Sequence, residues 1–130
     1  MEPETRRTVV GWLVDEPQKA RLLEMFPPAY PDVVAHHVTL SVGIDEPLPP
    51  EATAQIVGVA DDGEGVQALV VKLNGVTARP DGGAYHITWS LDLAKGRHAV
   101  ESNKVIAERG WTALPAPVLV AVTPGRWDLS

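Results

Sequence analysis

Two heptapeptides that share four positions constrain the fold of this chain more than any other feature. Residues 35–41 read AHHVTLS and residues 84–90 read AYHITWS, so both fit the pattern A-x-H-x-T-x-S with apolar or aromatic residues between the fixed positions. Side chains alternate across a β-strand, so a strand over each copy would place its Ala, His, Thr and Ser on one face. The repeat therefore predicts a pseudo-symmetric cleft with paired imidazoles from His37 and His86.

The runs between and around the two copies predict further strands. β-branched and aromatic residues favour strands over residues 8–14, 53–60, 66–73 and 117–123. The turn-rich segment DDGEG between the second and third of these runs is typical of a β-hairpin. We expect the last run to be interrupted at Pro124, where the Pro-Gly pair begins.

Two segments have the pattern of helices. Residues 18–26 carry apolar side chains at helical spacing after a candidate cap at Asp15. A second helix is predicted to begin near residues 101–103, with Ser102 or Asn103 as N-cap, and to run to Arg109. The order of elements predicts an α+β protein with mostly antiparallel pairing, in which the helices cover the apolar backs of the strands.

Length, hydrophobic content and net charge limit the classes of protein to which this chain can belong. A chain of 130 residues with 45% hydrophobic residues is the size of one domain, which we expect to span residues 1–130. The formal charge of −6 argues against a protein that binds long duplex nucleic acid through its phosphates. The first 75 residues hold 5 Lys and Arg against 12 Asp and Glu, so we expect an anion site to draw its charge from the rest.

The chain contains no cysteine, which excludes disulfides, thiolate zinc sites and a cysteine nucleophile. No secretory hydrophobic region follows the polar start, and no apolar run approaches the length of a membrane span. We therefore expect a cytoplasmic protein that does not bind membranes. We also expect a monomer, although no feature of the sequence determines the oligomeric state.

The residue types of the repeat suit the hydrolysis of a phosphodiester. That reaction needs a base to activate the nucleophile, an acid to protonate the leaving oxygen, and donors that hold the phosphoryl oxygens. Histidine serves both as acid and as base, because its ordinary pKa is about 6.5. His37 and His86 are the candidate acid–base pair, and Thr39 and Thr88 are the candidate phosphate donors. This chemistry requires no metal or other cofactor.

The paired motifs His37-Val38-Thr39-Leu40 and His86-Ile87-Thr88-Trp89 resemble the signatures of the 2H phosphoesterase superfamily. Its members include RNA 2′,3′-cyclic phosphodiesterases, 2′,5′-RNA ligase-like proteins and the phosphodiesterase domain of tRNA ligases. The order of predicted elements is also similar, so the resemblance covers most of the chain. It implies a bilobal, pseudo-twofold α+β fold with helices on the outer faces of two antiparallel sheets.

The resemblance implies an RNA-processing hydrolase that opens 2′,3′-cyclic phosphates of RNA ends, or small cyclic phosphates such as ADP-ribose 1″,2″-cyclic phosphate. The chain is short for the family and acidic, which favours a short RNA 3′ end or a nucleotide-sized substrate. The two near-identical motifs leave open which histidine is the base and which the acid.

Other residues are candidates for substrate contacts. Tyr30 and Trp12 are able to stack on a base, although core packing is the more frequent role of such residues. Three cations near the second motif either contact a phosphate or ribose or are solvated charges; they are Arg79, Lys95 and Arg97.

Three alternative interpretations remain open from the sequence. The same cleft would serve a non-catalytic module that binds a nucleotide or an RNA end, and the domain would be purely structural if the imidazoles lie apart. A zinc site with His37 and His86 lacks a third ligand at strand spacing, since only His36 and His98 remain. We expect His36 to pack on the face opposite His37.

Overall fold

The computed structural model describes residues 7–42, 47–80 and 82–129, which form an antiparallel sheet and two α-helices. The strands are β1 (Arg7–Val14), β2 (Asp32–Val33), β3 (His37–Val42), β4 (Ala54–Asp61), β5 (Val66–Leu73), β6 (His86–Leu91), β7 (Thr112–Val120) and β8 (Val122–Leu129). The helices are α1 (Glu16–Met25) and α2 (Glu101–Arg109), and a 3₁₀ turn covers Leu93–Lys95. The predicted α+β class with antiparallel pairing is confirmed. Neither helix in these ranges has the length and apolar character needed to cross a bilayer.

The two copies of the repeat occupy neighbouring strands at the centre of the sheet. The strands follow the order β7-β4-β5-β6-β3-β1-β8, and β2 pairs with β6 beside this path. Strands β3 and β6 meet through Val38, which lies opposite Ile87 in an antiparallel pair. Longer ladders join β3 to β1 and β6 to β5. The two copies of the repeat therefore lie where one half of the sheet (β7-β4-β5-β6) meets the other half (β3-β1-β8).

The sheet closes on itself at Ala121. Strands β7 and β8 lie at opposite ends of the strand order, yet this single residue joins them, so the two ends must meet there. Asp15, the residue before α1, binds the chain on both sides of the β7–β8 junction at Ala121. Its N–H donates to the Ala121 carbonyl (3.1 Å), and its carboxylate accepts from the Thr123 hydroxyl (2.8 Å). The sheet is thus bent around the core that α1 covers.

Helix α1 covers the face of the sheet that carries Val38 and Ile87. Its residue Leu22 is fully buried and joins both of them in the larger core cluster. Asp15 precedes the helix, as the sequence predicts, and Pro17 lies in its first turn, but the Asp15 side chain makes no capping hydrogen bond to the described residues. The carboxylate is already engaged at the corner of the sheet.

Helix α2 lies on the opposite face, which corrects the expectation that both helices cover the apolar backs of the repeat strands. Val105 and Ile106 pack in a second cluster with Ala68 of β5. Opposite residues of an antiparallel pair project to the same side, and Ala68 lies opposite Thr88 of the second motif. The physical reason is that β5 presents apolar side chains on both of its faces, so each face needs a cover.

The N-terminus of α2 differs from the prediction, although its end at Arg109 agrees. The N-cap residue is Val100 rather than Ser102 or Asn103, and no side chain in the described part of the chain caps the helix. Ser102 is fully buried inside the first turn instead. Its hydroxyl therefore serves a tertiary contact, described below, and not a cap.

Two edge strands replace the interrupted strand predicted over residues 117–123. Within the described ranges β7 pairs only with β4 and β8 only with β1, so each has a free side where proline is tolerated. Pro124 lies inside β8, opposite Trp12. Residues 114–117, which include two prolines, bulge out of register with β4. The prolines are thus accommodated at the sheet edges instead of ending the strands.

Packing at α1 leads to a prediction about stability. We expect Leu22→Ala to lower the free energy of unfolding by about 2–5 kcal/mol, since the fully buried side chain leaves a cavity in the core. Met25→Ala on the same helix is the matched control, because Met25 is 46% exposed, and should change stability by less than about 0.5 kcal/mol. Urea unfolding measures both, and equal effects would contradict the described packing.

Candidate active site

The pairing of β3 with β6 decides where the motif side chains point. Val38 and Ile87 lie opposite each other and both are fully buried in the core cluster with Leu22. The residues on either side of this pair therefore project to the other face. These residues are His37 and Thr39 on β3 and His86 and Thr88 on β6, and we call the surface that they form the His/Thr face. The four predicted residues are thus brought together on one face.

The serines of the repeat do not share this face, which corrects the simple alternation. Ser41 lies opposite Val10, after a shift of one residue in the ladder between β1 and β3. Ser90 lies opposite Gln67, after a corresponding shift between β5 and β6. Both shifts follow the threonine and turn the serine to the core side of the sheet. Ala35 precedes β3 with a φ of 45° and is buried in the core cluster.

His37 is held among aromatic rings. Its imidazole centroid lies 4.5 Å from that of the Trp127 indole on β8, and its Nδ1 lies 2.9 Å from Nδ1 of His36. Burial, followed by the neighbouring imidazoles of His36 and His86, lowers the pKa of His37 to about 4. The imidazole of His37 is therefore neutral at pH 7.

The position of His36 differs from the expectation that it packs on the opposite face. His36 lies just before β3, so strand alternation does not govern its side chain. Its ring contacts both His37 and Trp127, with centroid distances of 5.2 and 5.7 Å. Sequence reasoning also missed Trp127, because nothing in the sequence indicates that β8 lies beside β1 and so reaches the first motif.

His86 is nearly buried and oriented by the backbone. Its Nδ1 lies 2.9 Å from the carbonyl oxygen of Ala84. A carbonyl accepts hydrogen bonds and does not donate them, so Nδ1 carries the proton in this contact. The Ala84 carbonyl therefore fixes both the tautomer and the orientation of this imidazole.

The two threonines are not equivalent. The Thr88 hydroxyl lies 2.9 Å from the Ser102 hydroxyl of α2 and donates to the Ala99 carbonyl at 3.3 Å. Thr39 is half-buried, and its hydroxyl has no hydrogen-bond partner within residues 7–42, 47–80 and 82–129. Its neighbour across the ladder is Gly11, where an added Cβ would collide with the Val38 carbonyl. Thr39 is therefore the more available donor of the two.

The two aromatic candidates lie apart from this arrangement. Trp12 lies opposite Val38, and its indole belongs to the core on the other side of the sheet, where Nε1 donates to the Pro50 carbonyl (3.0 Å). The Tyr30 hydroxyl donates to Asp61 at the end of β4 (2.6 Å). Trp12 does not line the His/Thr face, and the Tyr30 hydroxyl is already engaged.

The three candidate cations differ in how they are bound. Arg97 forms ion pairs with Asp62 (2.7 Å) and Glu101 (2.9 Å), so its guanidinium ties the β4–β5 turn to α2. Arg79 is nearly buried and donates to Asn103, the residue after Ser102 in α2 (2.9 Å). Lys95 lies exposed at the end of the 3₁₀ turn.

An open pocket of about 400 Å³ lies on the core side of the sheet and not on the His/Thr face. Trp12 and Tyr85 line it together with Asn74, prolines and aliphatic residues, and no histidine or carboxylate of the described residues is among them. In the described ranges, no three His, Asp or Glu side chains gather as metal ligands.

Comparison with protein-family models, with curated proteins and with solved structures found no match to this chain.

The contact between Thr88 and Ser102 predicts an energetic coupling. We expect Ser102→Ala and Thr88→Val each to lower the free energy of unfolding, because each leaves a buried hydroxyl with one partner fewer. In a double-mutant cycle the coupling should be about 0.5–1.5 kcal/mol. Strictly additive effects in urea unfolding would contradict the hydrogen bond.

The lowered pKa of His37 predicts a pH-dependent stability. Between about pH 6.5, the ordinary value, and about pH 4, the unfolded chain binds a proton at this residue that the folded chain does not. The free energy of unfolding should therefore fall as the pH is lowered through this window, by on the order of 3 kcal/mol at most from this residue.

Urea unfolding from pH 7 to pH 4 measures this dependence in the wild type and in His37→Gln, which does not titrate. The variant should lose less stability over the window than the wild type does. His98→Gln is the control, because His98 is an exposed histidine before α2. Parallel curves for the wild type and His37→Gln would show that His37 does not carry the effect.

Proposed function

We propose that this protein is a metal-independent phosphodiesterase that hydrolyses a 2′,3′-cyclic phosphate. The observation that carries the proposal is the pair of Val38 with Ile87, since it directs the His and Thr of both motifs to one face. The resemblance of the motifs to those of 2H phosphoesterases supports the same chemistry. One imidazole activates water, the other protonates the leaving ribose oxygen, and a threonine hydroxyl donates to a phosphoryl oxygen.

The state of each residue is suited to this chemistry in a different way. His37 is neutral at pH 7 because its pKa is lowered to about 4, and a neutral imidazole is able to accept a proton. The backbone fixes the tautomer of His86 through Ala84. Thr39 keeps its hydroxyl unengaged within the described residues and is the principal phosphate donor of the proposal.

The proposed substrate is small, either a short RNA 3′ end or a nucleotide-sized cyclic phosphate such as ADP-ribose 1″,2″-cyclic phosphate. Long RNA requires a row of cations that follow its phosphates. The formal charge of the chain is −6, and Arg97 is already paired with Asp62 and Glu101. These features favour a ligand with one or two phosphates.

The second candidate function is a module that binds the same class of ligand without turnover. The observation that favours it is the burial of Thr88, whose hydroxyl is engaged by Ser102 and Ala99 instead of facing a ligand. Binding needs only the exposed part of the His/Thr face, whereas hydrolysis needs both imidazoles to reach one phosphate.

A turnover assay separates the two functions. The purified chain should hydrolyse 2′,3′-cyclic nucleotides, and EDTA should leave the rate unchanged because the proposed chemistry uses no metal. We expect His37→Asn and His86→Asn each to lower kcat/KM by roughly 10²–10⁴-fold, since each removes a proton-transfer group. Thr39→Val should lower it less, and the control His98→Asn should leave it unchanged.

The same assay includes the outcomes that count against the enzyme. Full activity in both His37→Asn and His86→Asn would overturn the proposal, provided that circular dichroism shows both variants folded. Saturable binding of a cyclic nucleotide with no product formed would favour the binding module. A panel of 2′,3′-cyclic mononucleotides, short RNAs with a cyclic 3′ end and ADP-ribose cyclic phosphate tests the proposed substrate size.

A further inference from the structure

His36 makes a direct contact with the candidate base that the repeat pattern does not explain. Nδ1 of His36 lies 2.9 Å from Nδ1 of His37, which is hydrogen-bonding distance. The indole of Trp127 contacts both rings, in an edge-on arrangement with His36 and a tilted one with His37. The second motif has Tyr85 at the position that corresponds to His36, so this contact belongs to the first motif alone.

A hydrogen bond between two Nδ1 atoms holds one proton, which one ring donates and the other accepts. If His37 donates, its Nε2 keeps a lone pair in the neutral ring and is able to take a proton from water. If His36 donates, Nε2 of neutral His37 already carries a proton and does not act as a base. The partner ring therefore decides whether His37 is competent, as the orienting group of a catalytic triad does.

We propose that His36 is a positioning residue that accepts the Nδ1 proton of His37 and thereby holds His37 in the tautomer with a free Nε2. The proposal rests on the proposed function, and it assigns His37 as the base and His86 as the acid. With this assignment the two histidines have different roles, although their motifs are nearly identical in sequence.

The proton and electron movements balance in this assignment. Nε2 of His37 takes a proton from water while the water oxygen forms a bond to phosphorus. The bond from phosphorus to one ribose oxygen breaks, and that oxygen keeps the electron pair and takes a proton from Nε2 of His86. The Ala84 carbonyl accepts from Nδ1 of His86 and orients the ring during this step. Solvent then restores both histidines to their starting states.

The groups that face the His36–His37 contact favour neutral rings. Burial, followed by Lys19 of α1, lowers the pKa of His36, while Glu16 of the same helix opposes this change. His86 on β6 lowers the pKa of His37 further, after burial and His36. Trp127 on β8 carries no charge. A neutral His36 is able to accept the hydrogen bond, whereas a protonated His36 has no lone pair at Nδ1.

The tautomer of His37 is measurable without any substrate. Long-range ¹H–¹⁵N NMR of the full-length chain at pH 7 distinguishes a proton on Nδ1 from one on Nε2. We expect the Nδ1–H tautomer in the wild type and a shift towards Nε2–H in His36→Phe, which keeps a ring beside Trp127 but has no acceptor. His36→Asn should restore the wild-type tautomer, because its amide oxygen is able to accept the same proton.

Kinetics on a 2′,3′-cyclic nucleotide give the second readout. His36→Phe should lower kcat about tenfold with little change in KM, which is less than the loss expected when a base is removed entirely. The pH profile of kcat/KM should change in His36→Phe and return in His36→Asn. The exposed residue His98 provides the control His98→Phe, which should match the wild type.

The two readouts separate the failure of this inference from the failure of the proposed function. An unchanged His37 tautomer in His36→Phe, in a folded protein, would overturn the positioning role. Equal kcat values for the wild type and His36→Phe would overturn it as well. If the tautomer shifts while no form of the chain hydrolyses a cyclic phosphate, the positioning contact is supported and the proposed function fails.

Discussion

The antiparallel pair of Val38 with Ile87 is the contact on which the rest of the structure depends. It joins the two halves of the sheet at the strands that carry the repeat. Because strand side chains alternate, burial of this pair determines the direction of the residues before and after it. A slip of one residue in either strand would turn its histidine into the core. The hydrophobic residue inside each H-x-T motif is therefore as important to the site as the polar ones.

The parts of the fold that the sequence predicted are those with a strong local pattern. The run of residues 66–73 corresponds to β5, and the second helix ends at Arg109 as predicted. The closure of the sheet at Ala121 has no local signal, because it follows from which strands become edges. The same holds for Pro124, which would break a central strand but lies in β8, and among the described strands β8 pairs with β1 alone. Tertiary pairing decided these features.

The same distinction between local sequence pattern and tertiary pairing applies to the candidate site. The period of the strand was enough to place His37 and Thr39 together and to separate them from Val38, but it did not carry through to the serines. A one-residue shift in the ladder lies beyond the threonine of each copy, and such shifts depend on the neighbouring strand. The contact of His37 with Trp127 likewise depends on β8, which lies two strands away and about 90 residues later in the chain.

The near-symmetry of the motifs does not extend to their surroundings. The first copy is packed against Trp127 and His36, whereas the second lies under α2, which engages Thr88 through Ser102. Acid–base hydrolysis of a phosphodiester needs one neutral and one protonated group, so identical sites would not serve it. In this chain different elements pack on the two copies, so the two imidazoles have different surroundings. The repeat sets the positions of the two imidazoles, whereas burial and the neighbouring rings lower the pKa of His37 and the Ala84 carbonyl fixes the tautomer of His86.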